Sequence, residues 1–335
     1  MSIKARFEKF TKEIKPKPEY INEANRQADY MIDQLYNKVA EDGSFKLEKI
    51  LKAGSNAKFT SLRKTEGNIF DVDLGAYYSG EGATKERLDT LIKFTLGQLR
   101  SIYHQKEKDD FEPLKSAARV IFRSGIELRV DVAPIIRDDS LGVENGGWIP
   151  RPDGWRLTSV TGHNKFVQRR TTESENVAGP VKFNRLVRMV KWWNNLQGDL
   201  AQPSIFCELI TAKAFEAYGV TDDWQTSIRH VFSYFRKHQF LEPIIFSDYY
   251  DARKVKLPND KVIVMDSVNP QNNVTRLWTE TTRTKYLDRI YDAYDASMEA
   301  RSAELDHDEE AAVDAWCSIF GDAFRTLSEP DKEGK

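Results

Sequence analysis

The sequence is poor in cysteine, in excess charge of either sign and in long apolar runs. Only Cys207 and Cys317 occur in 335 residues, which excludes a Cys-rich zinc module and a disulfide scaffold and fits a reducing compartment. Lys and Arg number 50 against 52 Asp and Glu, a net charge of −2, so strong binding of nucleic acid by bulk positive charge is not expected. No stretch approaches the roughly 18 consecutive apolar residues of a membrane span. The charged start MSIKARFEKFTKEIKPKPEY lacks the apolar core of a signal peptide. A soluble cytoplasmic chain with no membrane partner is the expectation. Several catalytic signatures are absent too. The segment GSNAKFT has no second Gly and no Gly-Lys-Ser/Thr ending, so Lys58 is not a Walker lysine. There is no Gly-x-Ser-x-Gly elbow, and the five histidines are scattered, with His230 and His238 eight apart.

What is present divides the chain by period. Residues 1–40 read as two helices separated by Pro16 and Pro18, with Phe7, Phe10 and Ile14, then Ala24, Ala28, Ile32 and Leu35, at near-helical spacing. Between Leu51 and Ile136, β-rich segments at 69–78 and 126–136 flank an amphipathic helix around 85–103, an α/β or α+β layer. Residues 137–180, rich in Gly, Pro, Asp and Ser, read as a long loop with short ordered pieces. From Phe183 the period is helical, interrupted by the strand-like KVIVMD at 261–266. The organisation expected is a core with N-terminal helices over 1–180, a helical lobe over 181–327 and a frayed tail over 328–335.

The chemistry concentrates in Leu51–Tyr78. In a strand, side chains two apart share a face, so Asp71 and Asp73 point together while Phe70, Val72, Leu74 and Ala76 enter a core. Paired like charges ask for a cation, most naturally Mg²⁺ with oxygen ligands. The plain alternative is a surface strand with two solvated aspartates. A third strand-borne carboxylate, Asp131, shares a face with Glu127 and Arg129, opposite Leu128, Val130 and Val132. Three carboxylates on adjacent strands can hold two ions. Gly54-Ser55 stands where a turn enters a short helix, a place suited to phosphate. On RLVRMVKWW, Arg188 and Lys191 share a face at i, i+3, either a phosphate-handling stripe or a solvated helix face. Ser204 opens the next helix and is either a cap or a ligand. Asp-x-Asp also occurs in metal-dependent glycosyltransferases, which would leave the upstream Gly-Ser unexplained.

With Gly54-Ser55, Lys58, Thr60, Asp71-Val72-Asp73 and Asp131 in order, the sequence resembles a nucleotidyltransferase of the DNA-polymerase-β superfamily. RLVRMVKWW, PSIFCELITAKAF and MDSVNPQNNVTRLW are similar to the oligoadenylate-synthase type, and most of all to the CBASS cGAS/DncV-like nucleotidyltransferases (CD-NTases), clade C or D, over residues 45–285. The resemblance implies an α+β polymerase-β-type core with a helical second lobe and the active cleft between the two. It implies that Gly54 and Ser55 hold the donor triphosphate, that Asp71 and Asp73 ligate Mg²⁺ or Mn²⁺, and that Asp131 completes the metal site beside the acceptor hydroxyl. Lys191 and Ser204 match positions that grip the triphosphate. It further implies ATP with other NTPs as substrates, a cyclic di- or trinucleotide signal in antiphage defence as product, and a HORMA-like regulatory partner. Phe59 departs from the family, which commonly has Gly after the lysine, and the span from Ser55 to Asp71 exceeds that of the shortest members. The rival readings are template-free nucleotide addition to RNA or a linear product, and a catalytically silent scaffold. A silent scaffold has no need of three self-repelling carboxylates.

Overall fold

The computed structural model describes residues 1–64, 69–151, 154–179, 181–219 and 221–329. In chain order the elements are α1 (Ile3–Glu13), α2 (Pro18–Asp42), β1 (Lys46–Ala53), α3 (Gly54–Ala57), β2 (Phe70–Ser79), α4 (Leu88–Ile102), β3 (Phe111–Pro113), β4 (Ala118–Phe122), β5 (Leu128–Arg137), β6 (Gly146–Arg151) and β7 (Gly154–Ser159). There follow α5 (Val160–Ala178), α6 (Phe183–Asn195), α7 (Ser204–Tyr218), α8 (Trp224–His238), α9 (Glu280–Leu305), α10 (Glu309–Phe320) and α11 (Ala323–Ser328). The fold is α+β in two compact units, Pro16–Phe166 and Met1–Lys15 with Val167–Lys335. The division thus falls inside α5 rather than at residue 180, and the first helix joins the second unit rather than the core.

The core unit is built on a sheet ordered β1-β2-β5-β4-β3, with β6 on β5 and β7 on β6. Its central pair, β2 and β5, is parallel, and every other pairing is antiparallel. Alternation works as the sequence indicates: Phe70, Val72, Leu74 and Ala76 of β2, with Leu128, Val130 and Val132 of β5, bury one face under α2 and α4. On the opposite face of β2, Asp71 and Asp73 are followed by Gly75 and Tyr77. Tyr77 packs with Ile135 and Val160, and its hydroxyl donates to the Asn145 carbonyl at 2.9 Å.

The stretch expected as a loop over 137–180 is mostly regular. β6 and β7 pair from Gly146↔Ser159 to Arg151↔Gly154, and α5 follows at once. The hairpin depends on non-local fit. A Cβ on Gly147 would fall 2.5 Å from both Ile136 O and Ile135 Cγ2, so glycine is what lets β6 approach β5. The Ser159 hydroxyl accepts the Gly162 amide at 2.9 Å, a side-chain bond inside the first turn of α5.

The second unit is helical. Phe7 and Phe10 of α1 are fully buried among Trp316, Phe320 and Phe324, which is why the N-terminal helix belongs here. A second aromatic cluster joins Trp193, Phe206, Phe240, Trp278 and Tyr286. KVIVMD forms no strand, only isolated bridges Ile244↔Val264 and Met265↔Asn273. Side chains replace the ladder there. Asn273 Oδ1 accepts the Val264 amide at 2.9 Å and its Nδ2 donates to the Val262 carbonyl at 2.8 Å. Ser328, expected in a frayed tail, is buried at the end of α11, and residues 330–335 lie outside the described residues.

Candidate active site

The strands assemble the carboxylates. β1 and β2 set Ala53 opposite Asp73, so Gly54, the residue leaving β1, arrives beside that carboxylate. Gly54 has φ +67°, and a Cβ there would lie 2.6 Å from Asp73 Cγ and closer still to Oδ2. Only glycine brings the backbone this near. The single turn Gly54–Ala57 is held from behind: the Thr60 amide donates to the Ser55 carbonyl at 2.9 Å, and the Ser61 hydroxyl to Ser55 Oγ at 3.1 Å. Phe59, 73 % exposed, takes φ +55°. That left-handed conformation is the one glycine adopts freely, which explains why glycine suits this position and marks Phe59 as a strained replacement.

The parallel register of β2 and β5 places Asp73 opposite Asp131 and Asp71 opposite Arg129. Asp71 is exposed, while Asp73 and Asp131 are half-buried. Burial, then the charges of Asp131 and Asp71, push the Asp73 carboxyl up to about 6, with Lys58 and Arg119 partly opposing. Asp71, though exposed as a whole residue, is raised as well, by partial desolvation of its carboxyl and then by Asp131, against Arg119 and Arg129. Three carboxylates near one end of two adjacent strands, their like charges raising the Asp73 carboxyl, suit a hard divalent cation. Among the described residues, however, no group of three His, Cys, Asp or Glu is already closed around one point. Asp131 is instead engaged by Arg119 of β4, its cross-strand neighbour, with Nε to Oδ1 at 2.7 Å and Nη2 to Oδ2 at 2.8 Å.

Gly54, Ser55, Asp71, Asp73 and Asp131 are thus gathered in the core unit. Lys191 and Ser204 belong to the helical unit. Lys191 lies mid-α6, only 6 % exposed, and its charge acts on the Cys207 thiol of α7, so it is not on a solvated face. Its neighbour Arg188 is also buried and donates to the Thr11 carbonyl at 3.3 Å. Ser204 is the exposed first residue of α7. Pro203 occupies the cap position, so the serine does not cap the helix. Asn194 fixes the approach to α7, donating to the Gln202 carbonyl and accepting its amide, each at 2.9 Å.

The first 170 residues match the model of the Second Messenger Oligonucleotide or Dinucleotide Synthetase (SMODS) domain. The chain belongs to the SMODS family. Two relatives of this SMODS chain come from Escherichia coli. A cyclic AMP-AMP-AMP synthase of strain MS 115-1 is 30% identical over 304 residues, 89% of this chain and 90% of that protein. The CBASS oligonucleotide cyclase CdnC of strain KTE188 is 32% identical over 304 residues, 90% of each. The structure of E. coli MS115-1 CdnC with ATP matches at TM-score 0.81 and 26% identity, over 97% of this chain and 99% of that one. The same E. coli CdnC in complex with HORMA-deltaN matches at TM-score 0.78 and 27% identity, over 93% and 95%. The family relationship thus agrees with the CD-NTase resemblance seen in the sequence. Arg119 was not singled out from sequence in this SMODS protein. Alternation between the buried Ala118 and Val120 assigns it to the carboxylate face, but nothing local says that β4 pairs with β5.

Proposed function

We propose that the chain joins nucleoside triphosphates, ATP among them, into a cyclic oligonucleotide and releases pyrophosphate. The observation that carries this is the register that sets Asp73 against Asp131, with Asp71 two residues away and the Gly54 turn touching Asp73. In this reading Asp71, Asp73 and Asp131 hold Mg²⁺ or Mn²⁺. When bound, the ions would neutralise triphosphate charge and ease ionisation of the attacking hydroxyl. Gly54 and Ser55 seat the donor triphosphate, where the absent side chain leaves room and the Ser55 hydroxyl is a donor. Lys191 and Ser204, on the helical unit, bind triphosphate. A ribose hydroxyl oxygen of the acceptor attacks the α-phosphorus, the bond to the β,γ-diphosphate breaks, and the hydroxyl proton passes to Asp131. Repetition and ring closure complete the product.

The E. coli synthase that makes cyclic AMP-AMP-AMP favours a trinucleotide ring containing adenosine. The CdnC:HORMA complex favours a HORMA-like regulatory partner, and the CBASS relatives support a role in cytoplasmic antiphage signalling. No described helix is long and apolar enough to cross a membrane. Mass spectrometry of products from ATP and from mixed NTPs, with Mg²⁺, with and without a HORMA-like protein and a tRNA-like acceptor, tests the reading. A small phosphatase-resistant product is expected. A lengthened RNA would establish template-free addition instead, and absence of pyrophosphate release under every condition would establish a silent scaffold.

A further inference from the structure

Asp131 faces two neighbours of opposite charge. Across the parallel pair stands Asp73, and across the antiparallel pair stands Arg119. The guanidinium reaches both carboxylate oxygens in fork geometry, at 2.7 and 2.8 Å, and its remaining nitrogen lies 3.5 Å from Glu112. Both partners of the fork are well covered, the Arg119 side chain 18% exposed and that of Asp131 15%. Bidentate Arg–carboxylate pairs combine charge with a fixed orientation. The carboxylate is therefore aimed along the sheet at β4. Among the described residues the three aspartates form no closed set of ligands.

We propose that Arg119 is a positioning residue that holds Asp131 toward β4 and competes with a divalent ion for that carboxylate. The inference rests on the reading of the three aspartates as a metal site. Loading the site requires at least one Asp131 oxygen to be shared or released by the guanidinium, and removing the guanidinium removes both the competition and a nearby positive charge. A residue with a merely structural role would weaken metal binding when lost. Arg119 is distinguished by the opposite sign: its loss strengthens metal binding while costing turnover, because Asp131 is no longer held in one orientation.

The experiment titrates Mn²⁺ into the full chain without nucleotide and follows free Mn²⁺ by electron paramagnetic resonance. Arg119→Gln is expected to bind Mn²⁺ about fivefold or more tightly than wild type, with the gain reduced by at least half in an Asp131→Asn background. Arg119→Lys keeps the charge but loses the fork, and is expected to tighten binding by about twofold. Equal or weaker binding by Arg119→Gln, or an undiminished gain in the Asp131→Asn background, overturns the proposal. Should Arg119→Gln fail to fold by circular dichroism, Arg119→Lys decides, and an affinity equal to wild type overturns it. Wild-type Mn²⁺ binding that is absent, or indifferent to Asp71→Asn and Asp73→Asn, overturns the metal-site reading itself. Normal wild-type binding with no gain in the Arg119 variants removes only the role of Arg119.

Discussion

The Asp73 carboxyl, held near 6 by burial and by Asp131 and Asp71, makes stability depend on pH. Between the ordinary carboxylate value and about 6 the folded state binds the proton that the unfolded state releases, so this contribution falls as pH rises through that window. In EDTA at pH 7.5, Asp73→Asn is therefore expected to be more stable than wild type by ~1–3 kcal/mol, with the difference vanishing toward pH 4. Thermal melts across that range check the sign. Asp71→Asn or Asp73→Asn should at the same time reduce product formation to below about one per cent of wild type, since each removes charge from the metal site. Substantial activity in either variant, measured with Mg²⁺ present, would mean that the metal site lies elsewhere. Gly54→Ala tests the backbone at the same spot. Its new methyl group must displace the Asp73 side chain at a left-handed φ, so the turn is expected to lose ~1–3 kcal/mol of stability and most of the activity.

At the scale of elements, strand alternation was legible because it is local. The residues buried on β2 and β5 are those the period of two indicates. The β6–β7 hairpin and α5 were not legible, because Gly, Pro and Asp in 137–180 signal turns, while the pairing depends on Gly147 against β5 and the start of α5 on the Ser159 hydroxyl at the end of β7. On α6 the spacing of Arg188 and Lys191 was visible, but their burial was not, since a helical period cannot say which polar side chains neighbouring helices cover. If Lys191 grips a triphosphate, its ammonium meets charge already present in the ground state. Lys191→Ala should then raise the apparent KM for ATP about tenfold with a smaller change in kcat. Steady-state kinetics on a variant shown to be folded by its melting curve would check this. An unchanged KM would confine Lys191 to packing between α6 and α7.

At the scale of the molecule, α1 joins the last helices of the chain. Phe10 is fully buried and lies 5.2 Å, centroid to centroid, from both Phe320 and Phe324. Phe10→Ala is expected to destabilise the helical unit by about 3–5 kcal/mol, read as a lower urea midpoint by tryptophan fluorescence. Activity should be retained at low temperature, where the helical unit that carries Lys191 and Ser204 stays folded, and should fall as that unit melts.

Local periodicity is enough to say that Asp71 and Asp73 share a face, that Phe70, Val72 and Leu74 take the other, and that two helices precede the sheet. Each of these follows from side-chain direction along a single element. Tertiary structure alone decided that β5 lies parallel beside β2 in the register that sets Asp131 against Asp73, and that β4 delivers Arg119 to the same carboxylate. Strand order and register are fixed by burial summed over residues distant in the chain, so no local pattern around Asp131 or Arg119 carries that information.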